Sequence, residues 1–230
     1  MSADGPRRTV PPSSAARTDP RLEQLLAHPA LWRAGSAVRG AVWPSGFAPL
    51  DAGLPGGGWP RSGLIEILPM RFGQGELQLL LPTLASITRR PEARWCIWVA
   101  PPLQPFAPAL AAAGVALPRL LIVRARRASS LWAFEQALGS GACDCVFAWT
   151  RHAPARHIRR LHLAAQRGNT LGVLFRTREA AREASPAMLR VALEPRGDGV
   201  RVTLLKSRGG ARGALDLTWA ADAHESQRMP

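Results

Sequence analysis

Leu64-Ile65-Glu66-Ile67-Leu68, followed by Pro69-Met70-Arg71-Phe72-Gly73-Gln74-Gly75-Glu76-Leu77, is the stretch on which the fold turns. A run of five mainly apolar residues bounded by turn formers has the pattern of a buried strand. Helical spacing of apolar residues resumes after it, over residues 76–89. Strand, glycine-containing turn, helix is how a doubly wound sheet begins, and that turn is where a phosphate-binding loop sits.

Downstream the pattern alternates. Apolar strands are expected at 95–99, 120–123, 145–149 and 171–175, with helices near 106–113, 131–138 and 155–167. Such alternation predicts a mostly parallel sheet covered by helices on both faces. Two last strands, near 189–193 and 200–205, are joined by the turn-rich Glu194-Pro195-Arg196-Gly197-Asp198-Gly199, so an antiparallel hairpin is expected at the sheet edge. Upstream, residues 42–63 are rich in Gly and Pro and read as loop and turn. Leu22, Leu25, Leu26 and Leu31 recur at helical spacing and predict a short amphipathic helix. Residues 1–20 and 220–230 read as disordered tails. The fold class is therefore α/β, one domain over 21–219, ending in a C-terminal antiparallel β-hairpin.

The 230 residues hold 47% apolar side chains, enough for a real core. No apolar run reaches the roughly 18 residues that span a bilayer, and residues 1–20 contain no apolar segment of the kind a secretory signal needs. Three cysteines, Cys96, Cys143 and Cys145, cannot build a disulfide framework and suit a reducing compartment. The expectation is a cytoplasmic protein with no membrane partner. Thirty basic residues against sixteen acidic ones leave a charge of +14. GC-rich coding explains why twenty-nine of the thirty are arginine. It does not explain basic over acidic, and an excess of this size draws polyanions, nucleic acid above all.

A working phosphate loop for nucleoside triphosphates needs a lysine on the phosphates and a hydroxyl on magnesium. The turn Pro69, Gly73, Gln74, Gly75, Glu76 has neither, and the single lysine, Lys206, lies on the late hairpin. Cys143 and Cys145 form a C-x-C pair whose alternate positions share a strand face; burial as small hydrophobes is expected over a metal site. His152, His157 and His162, five apart, do not share one helix face. No G-x-S-x-G turn is present. No catalytic residue, metal or cofactor is therefore expected. Trp95, Trp98 and Trp132 are expected in the core, while Trp43 and Trp59 flank the glycine-rich segment, anchoring it or offering a stacking surface.

Several stretches carry a resemblance. Leu54-Pro55-Gly56-Gly57-Gly58-Trp59-Pro60-Arg61-Ser62-Gly63 is similar to the segment leading into the phosphate loop of the RecA recombinases. Pro105-Phe106-Ala107-Pro108 through Leu120-Leu121-Ile122-Val123 resembles the RecA stretch between the second and third core strands. Together with His28-Pro29-Ala30-Leu31-Trp32-Arg33 and Leu204-Leu205-Lys206-Ser207-Arg208-Gly209-Gly210, the set most resembles the ImuA family, RecA-like accessory proteins of bacterial translesion synthesis, with the SulA division inhibitors more distant. The resemblance implies a RecA-like core whose ATPase motifs are lost. The loop lysine and threonine are replaced within 74–76, the water-activating glutamate within 99–102, and the magnesium-linked aspartate by Trp149.

It also implies partners: an ImuB-type Y-family polymerase homologue, an error-prone replicative-type polymerase, RecA, and DNA. The DNA-binding loops of RecA follow the fourth and fifth core strands, which here precede Arg151, Arg156, Arg159, Arg160, Arg176, Arg178 and Arg182. The other reading of these arginines is a solvated helix face. Leu22, Leu25, Leu26 and Leu31 would dock a partner, as the RecA N-terminal segment does, or cap their own domain. The alternative function is a SulA-like inhibitor that acts by binding the division protein FtsZ.

Overall fold

The computed structural model describes residues 41–219, except 208 and 211. The sequence is built around one sheet of eight strands. These are β3 (Gly63–Pro69), β4 (Trp95–Val99), β5 (Leu120–Val123), β6 (Cys143–Trp149), β7 (Leu171–Phe175), β8 (Leu189–Arg196), β9 (Gly199–Ser207) and β10 (Gly213–Thr218). Their order across the sheet is β10-β9-β8-β3-β7-β6-β4-β5. β3 pairs in parallel with both β7 and β8, and β4, β5, β6 and β7 continue the parallel part. β9 is antiparallel to β8 and β10 antiparallel to β9.

The expected hairpin therefore forms, but it is not the sheet edge. β10 covers β9 on that side, pairing with it from Gly213 to Thr218. The segment 42–63 is also more ordered than its Gly and Pro content suggested. It folds as β1 (Val42–Trp43), α1 (Ala48–Gly53) and β2 (Trp59–Pro60), with Trp43 opposite Trp59 across the β1–β2 pair. The two indoles, 5% and 0% exposed, join Phe47, Leu50 and Leu54 in the main core on one side of the sheet, which anchors this glycine-rich stretch.

Helices α2 (Leu81–Thr88), α3 (Ala107–Ala112), α4 (Arg127–Gly139) and α5 (Ala155–Arg167) complete the layers. Period-two alternation in the strands divides the core in two. Ile65, Ile67, Trp98, Phe147, Trp149 and Phe175 face Leu84 and Ile87 of α2. On the opposite side Leu64, Val146, Ala148 and Leu174 face Phe134 and Leu138 of α4 and Ile158, Leu161 and Ala165 of α5. No described helix is long and apolar enough to cross a membrane.

Cys143 and Cys145 depart from the strand rule. A register shift lets Trp95 pair with Cys143 and Cys96 with Cys145, leaving Asp144 as the extra residue of a bulge. The two thiols are thereby sent to opposite faces, Cys143 to the α4–α5 side and Cys145 to the α2 side. Asp144 is held by the Arg94 backbone N–H at 2.8 Å and the Arg94 Nε at 3.0 Å. Cys145 Sγ donates to Cys96 Sγ at 3.0 Å, and that bond together with burial pushes its thiol well above the usual range.

Candidate functional site

Parallel strands end together, and the loops that leave their carboxyl ends enclose the crevice where ligands of such sheets bind. Here the crevice is a cleft of about 590 Å³. Met70, Phe72 and Leu103 form its apolar wall, with Arg71, Arg151 and Glu179 at its polar side. Leu103 is 65% exposed, and Phe106, three residues on, is 69% exposed. Sequence reasoning did not single out these apolar residues, because an exposed Leu or Phe in a loop carries no periodic signal.

The loop after β3 has the geometry of an anion cradle, and it is already filled. Gly73 and Gly75 adopt φ of +88° and +93°, the left-handed region that glycine enters without a steric penalty. That winding turns successive backbone N–H groups inward. The N–H of Gly73 donates to Glu76 Oε1 at 2.6 Å and that of Gln74 to Glu76 Oε2 at 2.9 Å. Arg71 N–H donates to Gln74 Oε1 at 3.1 Å. Glu76 is 2% exposed, so a carboxylate of the chain itself occupies the amides that a phosphate would need.

An aromatic layer packs in the core under the ends of these strands. Trp149, at the carboxyl end of β6, stacks on Phe175 with ring centroids 4.7 Å apart, and Trp98 stacks on Phe147 at 5.8 Å. Ala100, where β4 ends, has φ of +49°, a left-handed conformation that costs a non-glycine residue roughly 1–2 kcal/mol.

A buried ion cluster that the sequence reading missed joins β3, the end of β7, and β8. Glu66 is fully buried on β3, between Leu64 and Leu68 on one strand face. It accepts from Arg176 Nη1 at 3.1 Å and from Arg190 Nε at 2.6 Å. Arg176 Nη2 also reaches Glu183 at 2.7 Å, and Arg190 donates to the carbonyls of Ala180 and Glu183. The cluster thus pins the single-turn helix Arg178–Arg182 against the sheet. Its sequence signal was present: an acid inside a continuous apolar strand demands a buried cation.

The seven arginines are not gathered into one groove. Arg176 is fully buried and its charge is matched by Glu66 and Glu183. Arg178 pairs with Glu194 at 3.0 Å. Arg151, on the crevice lining, and Arg182 are both exposed and close enough to Glu179 to act on its charge. The Glu179 carboxyl is held below its ordinary value by the Thr177 hydroxyl first, with both arginines adding. Arg156, Arg159 and Arg160 belong to α5, which must travel from the carboxyl end of β6 back to the amino end of β7. Their side chains are exposed, and Arg160 forms a two-oxygen bridge to Glu135 of α4 at 2.8 and 3.0 Å.

Other candidates have structural occupations. His162 Nδ1 accepts the Leu64 N–H at 3.1 Å. Lys206 donates to the Ser185 carbonyl at 2.7 Å. Trp43 lies beneath two guanidinium groups, Arg61 at 4.1 Å and Arg90 at 4.9 Å from the ring centroid. Trp132, expected in the core, is instead 63% exposed on α4, and Trp95 is 37% exposed. Aromatic type alone does not fix burial; on α4 the inward positions are taken by Phe134 and Leu138. Leu22, Leu25, Leu26 and Leu31 lie outside the described residues. Among the described residues no group of three or more His, Cys, Asp or Glu side chains could hold a metal.

Comparison with known proteins places this architecture. The family model for the cell division inhibitor SulA matches residues 63–172, the run from β3 into β7. The cell division inhibitor SulA of Edwardsiella piscicida is 33% identical over 121 residues, covering 52% of this chain and 71% of that protein. Protein ImuA of Caulobacter vibrioides (strain NA1000 / CB15N) is 28% identical over 223 residues, covering 86% of this chain and 89% of that one. The crystal structure of SulA from Pseudomonas aeruginosa aligns with a TM-score of 0.43 at 28% identity, over 49% of this chain and 97% of that one. One relation is stronger in identity and the other in extent: the chain belongs to the ImuA/SulA superfamily.

Proposed function

We propose that this protein is a non-catalytic, RecA-like accessory factor of damage-induced translesion synthesis, an adaptor that brings DNA or RecA to an error-prone polymerase complex. The observation that carries the reading is the extent of the ImuA similarity. A match over 86% of 230 residues leaves only about thirty outside it. It must therefore take in part of both flanks of the 63–172 core to which the SulA family model is confined. The proposed partners are an ImuB-type Y-family polymerase homologue, an error-prone replicative-type polymerase, and RecA. An inhibitor of division acting purely by protein binding is the second reading, favoured by the higher identity of the SulA relatives over their shorter span.

The two readings separate in one experiment. Deleting the gene should abolish damage-induced mutagenesis while leaving division timing unchanged, and the purified chain should retain the ImuB-type protein. Filamentation on overexpression, with inhibition of FtsZ assembly by the pure protein and no mutagenesis phenotype, would establish the second reading instead.

Absence of chemistry belongs to the proposal. Glu76 takes the amides of Gly73 and Gln74, and no lysine stands in the loop to receive a phosphate. ATP turnover should stay at background with magnesium and DNA present. A DNA-stimulated rate that disappears in Glu76→Ala would refute the non-catalytic assignment.

A further inference from the structure

We infer that the outward face of α5 is a single-stranded DNA track, running down the side of the sheet rather than through the crevice. The inference rests on the DNA-adaptor reading and moves its binding surface. At 100° per residue, buried Ile158, Leu161, Ala164 and Ala165 lie on one side of α5. Arg156, Arg159, Arg160, Leu163 and Arg167 fall on the opposite side, in steps of three, one, three and four, and all are exposed. Eleven residues separate Arg156 from Arg167, so the stripe is about 16 Å long at 1.5 Å per residue. Its arginines follow one another in steps that let separate guanidinium groups take neighbouring backbone phosphates, which each can grip in bidentate fashion.

Charge and composition favour a polyphosphate over a protein. No ion pair among the described residues involves Arg156, Arg159 or Arg167, and the single acid bridged to the stripe is Glu135, on Arg160. Leu163 is the one apolar side chain of the stripe, too little for the dehydrated centre of a stable protein interface. Across on α4, Trp132 stands one helical turn before Glu135 with 63% of its surface exposed. An aromatic face beside a basic stripe is the pairing that sequence-indifferent single-strand binders use, the ring taking a base and the arginines the backbone.

The test is binding of fluorescein-labelled dT25 to the full chain across a salt series. Arg156→Ala/Arg159→Ala/Arg167→Ala should make the slope of log K against log[salt] shallower by about 2, roughly 0.7 for each phosphate that is no longer neutralised. Glu135→Ala, which frees Arg160, should steepen it by about 0.7. Trp132→Ala should weaken binding about tenfold with the slope unchanged. The Glu135 variant is a gain, so it remains informative if the triple variant folds poorly. If the slope instead falls in Arg151→Ala/Arg182→Ala and not in the α5 variants, the track is wrong and the DNA reading stands. If the wild-type chain does not bind dT25 at low salt, the DNA reading itself fails. Retention of a poly-glutamate peptide with the same arginine dependence, and no dT25 binding, would make the stripe a protein-docking face and overturn the inference.

Discussion

Replacing Glu66 with Ala should cost about 3–5 kcal/mol of folding stability, the range for removing one partner of a buried ion pair. Arg176 and Glu66 are both fully buried and Arg190 is 8% exposed, so neither cation can turn to water when the acid is gone. Arg176 would keep only Glu183, itself 48% exposed, and Arg190 would keep two backbone carbonyls. The loss comes mainly from stranding two charges. It follows that Glu66→Leu combined with Arg176→Met and Arg190→Leu should recover most of the stability, since a well-packed apolar replacement of a buried ion cluster is often neutral or better. Urea denaturation measures both. A Glu66→Ala midpoint shift equivalent to less than about 1 kcal/mol would mean that the cluster is hydrated or rearranges, and that the Arg178–Arg182 turn is held by something else.

That cluster also marks where sequence reading reached its limit. The strands at Trp95–Val99, Leu120–Val123 and Leu171–Phe175 and the helix at Ala155–Arg167 were legible to the residue, the strands as apolar runs and the helix by apolar residues at helical spacing between Pro154 and Gly168. β10 and the β1–α1–β2 segment were not. Their stability is tertiary: Trp43 and Trp59 are buried in the main core, and β10 has β9 to pair with, facts that local propensity does not contain.

The site followed the same division. That residues 73–76 form a loop lacking a lysine was plain from the sequence. That Glu76 folds back into the loop's own amides was not, since the rule that acids are favourable near a helix start does not say which amides they will find. The arginines were read as one set because they follow two adjacent strands. Glu66 withdraws Arg176 from solvent, and the 3.6-residue period of α5 turns Arg156, Arg159 and Arg167 onto its outward side. Spacing within α5 was available in the sequence; the pairing of Glu66 with residues 110 and 124 positions away was not.

The buried aromatic layer at the end of β6 gives the second large effect. Trp149 is 6% exposed, lies parallel to Phe175 at 4.7 Å, and meets Trp98 and Phe147 edge-on at 5.8 and 6.4 Å. Truncation to Ala removes a large side chain from a close-packed layer between the sheet and α2, and should cost about 3–5 kcal/mol. Phe is the informative contrast. The Trp149 Nε1–H is buried with no acceptor among the described residues, a group whose burial is unfavourable by roughly 1–3 kcal/mol. Trp149→Phe sheds that N–H and keeps a ring against Phe175, so the lost area and the relieved donor offset each other to within about 1.5 kcal/mol of wild type. Trp149→Asp should behave worse than Ala, because a carboxylate at the head of β6 would face Phe175, Trp98 and Phe147 with no cation or bound metal to receive it. Thermal and urea unfolding of the three variants in parallel gives the order Phe, Ala, Asp from most to least stable. An Asp variant as stable as Phe, with a melting temperature that rises on adding magnesium, would show instead that a carboxylate at the end of β6 finds a cation there.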